Sequence, residues 1–178
     1  MCTGNQCRSP MAAALLRRHL ARAGVAHDVT SAGTQAPAGR PATSEAVAAA
    51  AELGLDLEGH RSRPLEPELV GATDLVLGMA REHVREVALM DSRALEHTFT
   101  LEELVRRAQA RPRLGAPLAA WLAALTADRP IEALLGSSAD DDVEDPIGRP
   151  MRVYRHTIET LDALTEHLTR VMFPAGSV

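Results

Sequence analysis

The chain opens Met1-Cys2-Thr3-Gly4-Asn5-Gln6-Cys7-Arg8-Ser9-Pro10, so that a cysteine and an arginine are separated by five residues. A serine and a proline able to begin a helix follow directly. Such a segment can wrap its backbone N–H groups around an anion at the positive end of the next helix. An anion seat directly over a sulfur nucleophile is what cleavage of a phosphate ester through a phosphocysteine requires.

Each residue type fits a part of that chemistry. Cys2 is the candidate nucleophile, because cysteine attacks as the thiolate and a helix N-terminus beside arginine favours that form. Arg8 offers a planar fork for two phosphate oxygens, which lysine lacks. Thr3, Gly4, Asn5, Gln6, Cys7 and Ser9 are the candidate substrate-binding residues of the seat. Gly4 is expected to allow a tight curl, and Asn5 to hold it, since asparagine tolerates the left-handed region. Ser9 is read as a helix cap that also donates to the Cys2 sulfur, and Pro10 as the first helical residue. Cys7 has two readings: a spacer, or a redox partner that shields Cys2 as a disulfide.

This loop resembles the phosphate-binding loop of the low-molecular-weight protein tyrosine phosphatases. Ser31-Ala32-Gly33-Thr34, His60-Arg61-Ser62-Arg63, the run from Ala72 to Met79, and Asp145-Pro146 follow in that family's order, so the resemblance spans most of the chain. It implies a phosphatase acting on phosphomonoesters, most readily protein phosphotyrosine, with neither cofactor nor metal. It also implies that Asp145 protonates the leaving oxygen and later activates water against the phosphocysteine. The neighbouring Asp140, Asp141, Asp142 and Glu144 are read as a solvated acidic loop. By the same resemblance His60 buttresses the loop through Asn5 or Ser9, and Gln6 faces the leaving group. Arg61 and Arg63 are expected to be exposed, and Tyr154 to belong to the core. The residues after Asp145-Pro146 are Ile147-Gly148, without the aromatic wall common in phosphotyrosine enzymes. In this the chain is similar to bacterial members, some of which hydrolyse phosphoarginine.

Two other functions compete. An arsenate reductase shares the fold and loop, but with no cysteine after Cys7 it would need an external thiol. A catalytically impaired oxyanion-binding module is the third reading.

The elements that must position these residues are legible in part. At 178 residues and 46% hydrophobic, the chain suits a single low-molecular-weight phosphatase domain over 1–178. Aromatics are only 2% of it, so Ala, Leu and Val must build the core. A net charge of -5 argues against nucleic-acid binding, and no apolar run could cross a bilayer. Two cysteines with no secretory segment ahead of them read as cytoplasmic thiols. The partners expected are a phosphorylated protein and a phosphate or other oxyanion in the loop.

Helices are predicted over 10–24, from Thr43 or Ser44 to about Leu53, and over 81–89, 101–110 and about 150–172. Strands are predicted over 27–31, 74–79 and 98–100. Their alternation implies an α/β fold in three layers, a four-stranded parallel sheet with helices on both faces. The family's first strand lies immediately before the nucleophile, where only Met1 stands here. The expectation is therefore an upstream start, encoding several apolar residues in frame. Residues 111–140 form an insertion containing a helix around Trp121, read either as a cover for the core or as a lid beside the site.

Overall fold

In the computed structural model, which describes residues 1–174, α1 (Arg8–Arg22) leads directly out of the cysteine loop. It is followed by α2 (Ser44–Glu52), α3 (Pro67–Gly71), β1 (Val76–Gly78) and α4 (Arg81–Met90). A 3₁₀ turn over Ser92–His97 then enters β2 (Thr98–Thr100) and α5 (Leu101–Ala110). The chain ends through α6 (Leu118–Thr126), a second 3₁₀ turn over Ile131–Leu134 and the long α7 (Met151–Met172).

Local chemistry sets these boundaries. The Thr43 side chain accepts from Ala46 N at the start of α2, and Thr100 accepts from Glu103 N at the start of α5. Gly24, at φ 70°, closes α1 while Val25 N reaches back to Leu20 O. The alanines of α2 fulfil the demand for small core residues: Ala46, Ala49 and Ala50 are fully buried, letting α2 lie close to α7. α1 packs along α7 through Met11 and Leu15 on one side and Ile158, Leu161 and Leu168 on the other.

β1 and β2 pair in parallel, with Val76 opposite Thr98, Leu77 opposite Phe99 and Gly78 opposite Thr100. Successive strand side chains point to opposite faces. Val76 accordingly joins a smaller core with Val70, Val87 and Ala94, while Leu77 and Phe99 join the main core of α1, α2, α5, α6 and α7. Helices therefore cover both faces.

Only these two strands form among the described residues, where three were predicted as part of a four-stranded sheet. Two further backbone lines run parallel beside β1. Met1 donates to Leu77 O at 2.5 Å and accepts from Met79 N, and Cys2 bridges Gly33, which in turn bridges Pro64. Residues 27–31 were predicted to be a strand and are not. A strand needs a hydrogen-bonded neighbour, and this stretch gains one only where it reaches Ala32 and Thr34 beside Cys2. It instead forms one wall of a groove of about 810 Å³ floored by Leu16, Leu20, Leu75, Leu77 and Leu168.

The 111–140 segment lies on the core. Trp121, Leu122 and Leu125 are buried, and the Trp121 indole donates to Arg111 O. Arg129 bonds Thr98 O and Leu95 O and stacks over the Phe99 ring. No helix among the described residues is long and apolar enough to cross a membrane.

Candidate active site

The loop from Cys2 to Arg8 is held from below by Asn5. This residue is fully buried at φ 51°, the left-handed conformation expected of it. Its side-chain amide donates to Ser9 Oγ and to Ser31 Oγ, both at 2.9 Å. Its Oδ1 accepts from Arg63 N, and its backbone carbonyl accepts from His60 Nε2 at 2.7 Å. Both amide protons and the carbonyl oxygen of one side chain are thus engaged in fixing the curl. His60 buttresses the loop through Asn5, and a carbonyl acceptor puts the ring proton on Nε2.

Gly4 is not the residue that permits the turn. It lies outside the positive-φ region, and an added Cβ would meet only Gln6 Oε1 at an ordinary 3.6 Å. Gly33 is the constrained glycine. A Cβ there would stand 2.5 Å from Thr3 O and 2.8 Å from Asn5 N. The two residues after it, Thr34 and Gln35, donate their N–H groups to Cys2 O and Thr3 O. The loop is therefore backed against the 32–35 segment.

Cys2 Sγ lies 3.0 Å from Ser9 Oγ. Because Asn5 already donates to that hydroxyl, the Ser9 proton is free to point at the sulfur. Ser9 does not cap α1, which begins at Arg8 with Cys7 as its N-cap residue, and Pro10 is the third helical residue and not the first. Its missing N–H is still one that a helix start leaves unused. From Thr3 to Ser9, no backbone N–H finds an acceptor among the described residues. Cys2 and Cys7 are both buried free thiols. Burial, reinforced by the nearby Cys2, pushes the Cys7 thiol well up from its ordinary value. Gln6 ties the loop tip to α2, its carbonyl accepting from Thr43 N and its amide donating to Pro41 O.

The arginine and the aspartate meet. Arg8, 4% exposed, donates from Nη2 to Asp145 Oδ2 at 2.5 Å and from Nη1 to Val143 O at 3.2 Å. The Asp145 side chain is 42% exposed, and its Oδ1 accepts from Ile147 N. Cysteine, arginine and carboxylate are thus assembled on one short helix start and one loop.

The family described as low molecular weight phosphotyrosine protein phosphatase matches over residues 1–118. This chain belongs to that family. A protein-arginine-phosphatase from Bacillus subtilis (strain 168) is 32% identical over 170 residues, 96% of this chain and 92% of the relative. The low molecular weight protein-tyrosine-phosphatase Etp of Escherichia coli (strain K12) is 44% identical over 87 residues, 49% of this chain and 56% of that one. The crystal structure of a low molecular weight protein tyrosine phosphatase from T. tengcongensis superposes with a TM-score of 0.73. It shares 33% identity, and the match covers 95% of this chain and 94% of that one.

Several residues around this phosphatase site went unread in the sequence. His83 is fully buried, with Nε2 3.1 Å from Thr3 Oγ1. Burial, and then the charge of Arg8, lower its pKa to about 3, so the ring is neutral. Arg63 is half-buried and not exposed, donating from Nε to Ser31 O. Asp141 is 5% exposed, which corrects the solvated reading at that position, whereas Asp140 and Glu144 are exposed. A local pattern gives no sign of these contacts, since each partner lies tens of residues away. Tyr154 is in the core, 2% exposed. No three His, Cys, Asp or Glu side chains among the described residues are grouped to hold a metal ion.

Proposed function

We propose that this phosphatase hydrolyses phosphomonoesters on protein side chains through a phosphocysteine on Cys2. The observation that carries the proposal is the Ser9–Cys2–Arg8–Asp145 arrangement over a run of unused loop N–H groups. Orphan N–H groups at a helix start favour an anion. Thr3, Gly4, Asn5, Gln6, Cys7 and Ser9 supply those backbone donors, and Arg8 adds a bidentate fork.

In the first half-reaction the Cys2 thiolate attacks phosphorus, forming the S–P bond as the bond to the leaving oxygen breaks. Asp145 gives that oxygen its proton. In the second, Asp145 takes a proton from water as the water attacks phosphorus, releasing inorganic phosphate and the thiolate. Ser9 donates to the attacking sulfur, while Asn5 prevents the hydroxyl from turning away.

Phosphotyrosine is the primary substrate reading, from the family. Phosphoarginine is a second, favoured by one feature of the site: Ile147, half exposed, follows Asp145-Pro146 where an aromatic wall would serve a phenyl ring. The lack of any cysteine beyond Cys7 counts against an arsenate reductase relay. The architecture is proposed as one domain with an insertion over 111–140. Its sheet order is β2, β1, the Met1–Cys2 line and the 32–34 line, which the parallel bridges support.

The test compares turnover of phosphotyrosyl and phosphoarginyl peptides by the wild type and Cys2→Ser. Wild-type turnover of at least one, lost in a folded Cys2→Ser protein that still binds vanadate, is expected. Residual hydrolysis by Cys2→Ser would remove Cys2 from the mechanism.

A further inference from the structure

The acidic run before Asp145 is bound to the protein at nearly every residue. Asp141 receives Arg81 on Oδ2, from Nε at 2.7 Å and Nη2 at 2.6 Å, and Arg106 Nη2 on Oδ1 at 2.7 Å. Arg106 also donates from Nη1 to Asp140 O. Asp142 accepts the Arg81 backbone N–H on Oδ1 at 2.7 Å, at the open start of α4, and Ser138 N on Oδ2. Val143 donates to Met79 O at the end of β1 and accepts from Arg8. Asp145 follows two residues later.

Burial alone would raise the Asp141 pKa, but hydrogen bonds and charge from Arg106 and Arg81 outweigh it and hold the carboxyl below its ordinary value. A buried charge cluster of this kind is a poor source of stability, because desolvation offsets much of the attraction. It does fix geometry, since both oxygens of one carboxylate are held from two different helices. Arg81 and Arg85 also hold the carbonyls of Leu134, Leu135 and Gly136, so the approach to the acidic run is anchored to α4 as well.

We propose that Asp141, clamped by Arg81 and Arg106, is a positioning residue that aims the Asp145 carboxyl at the leaving group. The proposal rests on Asp145 being the general acid. The clamp fixes the Asp140–Val143 backbone against α4 and α5, leaving only Glu144 between it and the acid. Misplacing a proton donor by about 1 Å can cost on the order of a hundredfold in rate. Only substrates that need the proton would feel that loss.

The experiment measures kcat for phenyl phosphate, a poor leaving group, and p-nitrophenyl phosphate, a good one. Variants are Asp141→Asn, Arg106→Ala, Asp145→Asn and the double variant Asp141→Asn/Asp145→Asn. Arg106 is half exposed at its side chain, so its truncation keeps the core closed even if Asp141→Asn folds poorly. Vanadate affinity should stay within about twofold in both clamp variants. Asp141→Asn should slow phenyl phosphate about tenfold or more, a part of the roughly hundredfold or greater contribution of a general acid, and p-nitrophenyl phosphate little. Arg106→Ala should shift the same ratio by less. In the Asp145→Asn background, Asp141→Asn should add nothing. Equal slowing of both substrates, or full additivity in the double variant, overturns the positioning role. If Asp145→Asn itself shows no leaving-group dependence, the general-acid reading falls and takes this proposal with it.

Discussion

Arg8 and Asp145 stand 137 residues apart in sequence and 2.5 Å apart in space. The pair joins the loop that seats an anion to the loop that carries the candidate acid. The guanidinium is buried and the carboxylate half-exposed, so Asp145 can leave the pair more easily than Arg8 can. In the proposed mechanism, an arriving phosphoryl group would offer Arg8 two oxygens in place of one and free Asp145 towards the leaving group.

Arg8→Lys should therefore lose far more than charge would suggest. A lysine ammonium cannot donate to Val143 O and to two phosphate oxygens through a planar fork. A fall in kcat/KM of about a hundredfold or more is expected, with vanadate affinity falling alongside. Wild-type turnover in Arg8→Lys would show that the fork is not used.

Gly33→Ala should damage the site without touching a reactive group. Its Cβ would lie 2.5 Å from Thr3 O, a backbone atom that cannot rotate away. The loop must shift, so lower activity and a destabilisation of about 1–3 kcal/mol are expected. Chemical denaturation alongside vanadate titration measures both. Gly4→Ala, which meets no backbone atom within 4 Å, should be milder.

Acid should destabilise the fold partly through His83. Its folded pKa of about 3 lies below the unfolded value near 6.5, so the unfolded chain binds the extra proton between them. The stability from keeping this ring neutral is complete above about pH 6.5 and declines as pH falls towards about 3, by up to roughly 1.4 kcal/mol per pH unit. Asp141 and Asp162, whose pKa values are lowered, lose stability in the same direction. The difference between wild type and His83→Gln isolates the histidine. Equal acid slopes in the two proteins would remove it as the cause.

The groove beside Met1 gives a stability test. An engineered extension of about four apolar residues ahead of Met1, at about 3.3 Å each, would run between 27–31 and β1. Complete burial of such side chains stabilises by about 1.5–3 kcal/mol each. A rise in Tm on the order of 10 °C is expected, at about 2–4 °C per kcal/mol for a chain of this size. A Gly/Ser extension of equal length should give none. Equal Tm values for the two extensions would show that the groove does not take a strand.

The sequence by itself determined the local geometry of the loop and the positions of the main helices. Cys2, Arg8 and Ser9 stand within eight residues, and a loop so short sets their proximity through chain connectivity alone. α5 begins and ends where it was predicted, because Thr100 caps it and an apolar face repeats at helical spacing. Asn5 adopts its predicted left-handed turn for an equally local reason. The tertiary structure decided what depends on distant neighbours. Residues 27–31 have strand-like composition and no strand, since pairing requires a second backbone. Gly33, and not Gly4, is the sterically required glycine, because the restriction comes from Thr3 O across the fold. Asp141 looked like one acid in a solvated run until Arg81 and Arg106 came to it from α4 and α5. Short-range geometry is written in adjacent residues, whereas burial and ion pairing are properties of the packed chain.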